Sequence, residues 1–194
     1  VIAYIDEILE KISYYNQKNL QELIDRIYFS DIDGEAIEIF IKLLPLYIKA
    51  KYGLSIKMNS KNFFKGDALF ENDNGEIKKV DPKKIFGITN GFDVVLTNPP
   101  YKLLKANDKK YKNELNKNQQ ALDIKKIIQF IRESNTYKFN QGTLNYYKIF
   151  LEEILENYTH QLSRVGVIIP ITLLNDKQSE LLRKRIINKY KLLK

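Results

Sequence analysis

Apolar positions along the chain recur alternately at helical and at strand spacing. Residues 1–25, VIAYIDEILEKISYYNQKNLQELID, carry them every three or four positions and predict a helix, and RIYFSDID then reads as a strand ending in acids. GEAIEIFIKLLPLYIKAKYG predicts a second helix, kinked or divided at Pro45, which has no amide hydrogen, and ended by Gly53. NFFKGDALF predicts a short strand and a turn, and FDVVLT is an unbroken apolar run of the kind buried on both faces in a parallel sheet. LNYYKIFLEEILENYTHQL is a strongly amphipathic helix, VGVIIP another buried strand, and DKQSELLRKRIINKY a final helix leading into KLLK. No internal repeat is found. Strands separated by helices imply an α/β fold with a mainly parallel sheet, whose ligands bind at the carboxyl ends of its strands.

Three of these strands finish in polar residues: Asp31 and Asp33 after the first, Asp67 after the second, Asn98 after the third. The expectation is that Asp31, Asp67 and Asn98 line one cleft at the carboxyl edge of the sheet. An acid at such a strand end is placed to accept hydrogen bonds from sugar hydroxyls, but it can equally cap the next helix. Both readings stand for Asp31, and Asp33 is a candidate cap. The third strand stops at Asn98-Pro99-Pro100-Tyr101. Prolines terminate ladder pairing and fix the backbone, so this corner is rigid enough to aim main-chain carbonyls at a substrate.

Composition narrows the picture. At 194 residues and 22.9 kDa, with 44% hydrophobic residues, the chain supports one domain over residues 1–194. It has no cysteine and a single histidine, His160, which leaves no thiol nucleophile and no metal site to expect. His160 is expected near a helix end as a surface residue, and Tyr14, Tyr15 and Tyr146 as packing residues. With no run long enough to span a bilayer and no secretory leader, the chain reads as soluble and cytoplasmic.

The net charge of +8 suggests a polyanionic partner, though it is also what a Lys-rich coding bias produces. Residues 102–140 hold ten basic and four acidic side chains, so most of the surplus follows the proline corner directly. The first part, KANDKKYKNELNKNQQ, reads as a mobile loop and ALDIKKIIQFI as a short helical segment. A solvated insertion and a phosphate-contacting loop are equally open readings.

The ordered series YFSDIDGEAIEI, GDALF, FDVVLTNPPY, LNYYKIFLEEIL, VGVIIP and LLRKRIINKYKL resembles the motifs of the γ-class DNA adenine-N6 methyltransferases, closest to the modification domains of type IIG restriction-modification enzymes. The resemblance covers nearly the whole chain, residues 102–140 being its least familiar part. NPPY is shared with RNA-modifying and glutamine-modifying methyltransferases. The Asn-x-Tyr element at Asn145 and Tyr147, with Phe150 following and a long gap before it, favours the DNA enzymes. The resemblance implies a Rossmann-like fold, S-adenosylmethionine as cofactor and double-stranded DNA as substrate. It implies cofactor contacts from Asp31, Ile32, Asp67 and Ala68, and a catalytic tetrapeptide at Asn98, Pro99, Pro100 and Tyr101. The family's usual Pro-Gly-Gly turn is represented only by Gly166 in HQLSRVG.

The chemistry suits that corner. An exocyclic adenine amine is a poor nucleophile because its lone pair is delocalised into the ring. Two carbonyl acceptors gripping its hydrogens, the Asn98 side-chain oxygen and the Pro99 main-chain oxygen, would push it toward tetrahedral geometry and point it at the methyl donor. Tyr101 offers a face on which a flipped base can stack. The family's first strand and Gly-rich turn find no counterpart upstream of VIAYIDEIL, and there is no initiator Met, so the chain is expected to be a piece of a longer polypeptide. Such a piece is expected to bind S-adenosylmethionine weakly or not at all and to be inactive alone, with a target-recognition domain, and in type IIG enzymes an endonuclease, elsewhere in the parent. Rival classes are an RNA adenine or protein glutamine methyltransferase and a non-catalytic, DNA-binding methyltransferase-like scaffold.

Overall fold

A computed structural model describes residues 2–11, 16–105 and 114–192. Tyr14, Tyr15 and residues 106–113 of the basic insertion lie outside the described residues. The chain divides into two compact units, Val1–Ala68 and Leu69–Lys194. Among the described residues no helix is long and apolar enough to cross a membrane.

In the first unit the expected opening helix is two, α1 (Ile2–Lys11) and α2 (Gln17–Ile24). Asn16 starts the second by accepting a hydrogen bond from the Asn19 amide at 2.9 Å. Strand β1 (Phe29–Asp31) leads into α3 (Gly34–Tyr52), which runs uninterrupted through Pro45 and ends where Gly53 takes the left-handed conformation with φ +69°. Strand β2 (Phe63–Lys65) pairs parallel with β1, matching Asp31 with Lys65. Phe40 of α3 stacks on Phe29 of β1 at 4.8 Å and so holds the helix against the pair. The core of this unit forms where Ile5 and Leu9 of α1, Leu20 and Ile24 of α2, and Leu44 and Ile48 of α3 meet. At one side of it Tyr47 and Tyr52 donate to the Asp6 carboxylate and Lys51 pairs with it at 2.9 Å. These partners pull the Asp6 pKa from 3.8 to about 2, the Tyr47 bond contributing most.

The second unit opens with an antiparallel hairpin of β3 (Phe70–Asp73) and β4 (Glu76–Lys79), turning at Asn74-Gly75. Both turn residues have positive φ, +52° and +92°, the backbone that an Asn-Gly turn selects. Helix α4 (Pro82–Phe86) follows, capped by Asp81 and stopped by Gly87. Strand β5 (Phe92–Thr97) coincides with the expected FDVVLT run. Next come α5 (Glu114–Glu133), which starts inside the stretch expected to be a loop, and α6 (Tyr146–Glu153), started by Asn145. Beyond α6 lies a π-turn over Ile154–Tyr158, then β6 (Thr159–Val167), α7 (Thr172–Asn175), a 3₁₀ turn and α8 (Glu180–Lys189).

The expected helix over LNYYKIFLEEILENYTHQL therefore stops at Tyr158, and THQL belongs to a strand. The π-turn is sustained because its loose carbonyls find donors: the Tyr190 hydroxyl and the Lys189 ammonium reach the Leu155 oxygen, and the Thr159 hydroxyl lies 3.2 Å from those of Ile154 and Leu155. Strand β6 pairs parallel with β5, but the register slips between Phe92 and Val94, so Asp93 faces a bulge at residues 160–163. Ser163 donates to the Phe92 carbonyl at 2.6 Å and accepts from the His160 amide at 2.8 Å. His160 is thus a strand residue within this bulge, not a helix end. Its Nδ1 accepts from the Leu162 amide, which leaves the proton on Nε2 to donate to Asp93 at 2.9 Å. Gly166 lies inside β6 opposite Leu96, not in a turn, and a Cβ there would sit 2.7 Å from the Leu96 side chain.

The fold is mixed α/β with small parallel sheets. Among the described residues there are three two-stranded sheets, β1–β2 and β5–β6 parallel and β3–β4 antiparallel. Strand β5 is not sealed on both faces as expected, for none of its six residues is fully buried, Asp93 is exposed and Leu96 is 56% exposed.

Candidate functional site

At the carboxyl edge of the β1–β2 pair stand four residues expected to handle a cofactor. The chain leaves β1 at Asp31, whose main-chain oxygen accepts from the Gly66 amide at 2.9 Å, tying the two strand ends together. One oxygen of the Asp31 carboxylate accepts from the Asp33 amide at 2.9 Å, and the other accepts nothing from any described residue. Asp33, not Asp31, caps α3, accepting from the Glu35 and Ala36 amides. The capping reading therefore goes to Asp33, and Asp31 keeps a carboxylate oxygen available. Ile32, between them, is 73% exposed. Asp67 and Ala68 follow β2 at the same edge, both half-buried.

In the second unit, Asn98-Pro99-Pro100-Tyr101 leaves the carboxyl end of β5. The Ile168 amide donates to the Thr97 oxygen at 3.2 Å, so the segments leaving β5 and β6 start side by side. Pro99 is buried while Asn98 and Pro100 are exposed. The Tyr101 hydroxyl donates to Asn98 Oδ1 at 2.9 Å and lies 3.2 Å from the Ile168 carbonyl. The corner is fastened from behind. Leu103 bridges Asn145, the Leu104 amide donates to the Leu144 oxygen and the Tyr146 amide to the Lys102 oxygen, so the start of α6 is bound to the chain just past Tyr101. Tyr147, 2% exposed, meets the Tyr101 ring edge-on, with centroids 6.3 Å apart and planes at 86°. Asn145 and Tyr147 thus lie beside NPPY although more than forty positions separate them in sequence.

Helix α6 is anchored by buried charges on its far side. Lys148 pairs with Asp176; Glu152 accepts from the Phe139 amide and the Asn140 side chain; Glu153 pairs with Lys79 of the hairpin at 2.8 Å. Burial raises the pKa of Glu152 and of Glu153 against the pull of these donors. Glu156, in contrast, is held low by the two-pronged Arg185 bond. The sequence reading missed the Ile168 carbonyl and the hairpin that carries Lys79. The hairpin was marked by Asn74-Gly75; the carbonyl has no sequence signal. A hollow of about 370 Å³ lined by Arg132, Tyr137, Asn140 and Leu144 includes none of the corner residues.

No curated protein matches the chain. The family model described as Eco57I restriction-modification methylase matches residues 25–194, a span that takes in both strand edges and the α6 strut. By that match over most of its length, the chain belongs to the Eco57I restriction-modification methylase family.

Proposed function

We propose that the protein is an S-adenosylmethionine-dependent DNA adenine-N6 methyltransferase of a restriction-modification system, working in the cytoplasm on a base flipped out of duplex DNA. The observation that carries this reading is the corner itself: an exposed amide oxygen, a buried proline behind it and an aromatic ring hydrogen-bonded to that oxygen, all fixed to two strand ends and a helix start. Asn98 Oδ1 and the Pro99 carbonyl accept the two hydrogens of the amine, which localises its lone pair. Tyr101 stacks the extruded base, and Tyr147 keeps that ring from tilting away.

The cofactor-handling residues fit the nucleoside part of S-adenosylmethionine. Asp31 has an unengaged carboxylate oxygen for the ribose hydroxyls, Ile32 has an exposed apolar side chain for the adenine face, and Asp67 and Ala68 follow at the same strand edge. The bound cofactor supplies a methyl group made electrophilic by its sulfonium. Residues 1–194 are proposed as one catalytic domain of Rossmann-like type, with the basic insertion at about 102–140 and with target recognition and any nuclease supplied by further domains. Transfer of a tritium-labelled methyl group from S-adenosylmethionine by the full-length protein is expected on duplex DNA, with the label recovered as N6-methyladenine. Label on structured RNA or on a glutamine-containing peptide instead, or on none of them, would refute the proposal.

A further inference from the structure

A second hollow of about 370 Å³ adjoins the first along Arg132, Gly142 and Leu144. Its walls are apolar, formed by Leu104, Ile128 and Leu144, and the Leu104 amide on the Leu144 oxygen ties two of them together. Its polar side chains are Arg132, Thr143 and Gln178, and no carboxylate lines it. Arg132 follows Ile128 by four positions on α5, so both stand on one face of that helix. Arg132 has no ion pair or hydrogen bond with any described residue; the adjacent Glu133 is held by Gln129 at 2.9 Å, and Asp176 pairs with Lys148. Gln178 Oε1 accepts from the Thr143 amide at 2.8 Å. A main-chain amide can only donate, so the oxygen end of Gln178 is fixed on Thr143 and its two N–H groups remain for another acceptor. Gly142 makes room for this arrangement: its φ is +69°, and a Cβ there would sit 2.5 Å from the Gln178 side chain.

We propose that this hollow is a phosphodiester site for the DNA strand that carries the target base, with Arg132 supplying the charge and Gln178 a neutral donor. A guanidinium and the donor end of a fixed amide, with no carboxylate beside them, suit a ligand that is anionic and only accepts hydrogen bonds. The place fits as well. Leu104 lies three residues beyond Tyr101, so at most about 11 Å of chain separates the hollow's wall from that ring. A DNA strand carries a phosphate every ~3.4 Å of helix axis, so several phosphates pass within that reach. Residues 102–140, which include Arg132, hold ten basic and four acidic side chains and favour the approach of a polyanion. Contacts of this kind set the register of the strand without reading its sequence.

This rests on duplex DNA being the substrate, and the experiment separates the two ideas. Arg132→Gln and Gln178→Glu are compared with wild type in the full-length protein, with circular dichroism to check folding. Binding of a fluorescein-labelled duplex is followed by anisotropy over a range of salt concentrations, and methyl transfer to plasmid DNA gives kcat and KM. Arg132→Gln is expected to weaken binding about tenfold at low salt and to make the slope of log affinity against log salt shallower by about one. Its KM for DNA rises while kcat is unchanged, the mark of a contact made equally before and during the reaction. Gln178→Glu keeps an oxygen on the Thr143 amide and exchanges the donors for a negative charge, so it too is expected to weaken DNA binding by about tenfold, with S-adenosylmethionine affinity unaltered. Either variant binding DNA within about twofold of wild type, an unchanged salt slope for Arg132→Gln, or a loss confined to kcat would overturn the phosphodiester site. Wild type that neither binds nor methylates duplex DNA would instead refute the proposed function, and the inference would fall with it.

Discussion

Replacing Lys79 by Met tests how the second unit holds α6, and through it the start of the strut behind Tyr101. Glu153 is 1% exposed, its one ion pair among the described residues is with Lys79, the Asn157 side chain lends it a weaker pull, and its Oε2 is buried without a close hydrogen bond. Methionine keeps most of the apolar stem of Lys79 and removes its charge, and with it the distant contact of Nζ over the Tyr137 ring at 6.0 Å. A carboxylate stranded in this way can stay charged at a penalty of roughly 3–5 kcal/mol, or take up a proton. Protonation sets the ceiling. Starting from the ordinary Glu value of 4.5, uptake at about pH 7 costs about 1.4 kcal/mol per unit, or about 3 kcal/mol in all. At about pH 5 the same step costs under about 1 kcal/mol. Burial already raises the Glu153 pKa, so the folded state binds this proton more readily than the unfolded chain. Stability associated with Glu153 is therefore greatest below the unfolded value and declines as pH rises through the folded one. Urea unfolding followed by circular dichroism is expected to show Lys79→Met destabilised by up to about 3 kcal/mol near pH 7 and by under about 1 kcal/mol near pH 5, with Lys79→Met/Glu153→Gln recovering most of the loss at both. A deficit equal at the two pH values, or one that Glu153→Gln does not relieve, would refute the assignment of the effect to a stranded charge.

Three other outcomes are expected. Asn98→Ala should lower turnover by about a hundredfold or more while S-adenosylmethionine affinity, measured by calorimetry, stays the same; parallel losses would make Asn98 structural. Gly91→Ala should destabilise the protein by about 3 kcal/mol in urea melts, since φ is +92° and the new Cβ would lie 2.8 Å from the Tyr158 carbonyl where β5 meets the start of β6; a loss under about 1 kcal/mol would mean that the bulge absorbs it. Asp6 has its pKa lowered to about 2, so the stability it contributes is complete above its ordinary value of 3.8 and is lost as pH falls through about 2; thermal melts of wild type and Asp6→Asn should differ at neutral pH and converge toward pH 2, whereas a constant gap would exclude the ionised Asp6 as the cause.

Local rules written in the sequence were enough for several elements. FDVVLT became β5 residue for residue, because a run rich in strand formers, with Asp93 the exception, that is closed after Asn98 by two prolines leaves few alternatives, and Gly53 ended α3 because the left-handed cap favours glycine. The order of motifs was enough for the family. Pro45, read as a kink or a division, does not divide the helix, since Leu44 and Ile48 on either side of it bury into the core and outweigh the lost amide bond. The period of LNYYKIFLEEILENYTHQL stayed helical beyond where the helix ends. Only the tertiary structure supplied the reason to stop: Tyr190 and Lys189, some thirty residues later, reach a π-turn carbonyl, while β5 pairs with Thr159 and, past the bulge, with residues 164–167. The same holds for the site. Asn98, Pro99, Pro100 and Tyr101 are adjacent in the sequence and legible as a corner, but the hydroxyl on Oδ1, the Ile168 carbonyl beside it and the Tyr147 edge come from strands and helices far apart in the chain. Hydrogen bonds and ring contacts between distant segments leave no periodicity or spacing in a sequence, so folding alone brings these groups together.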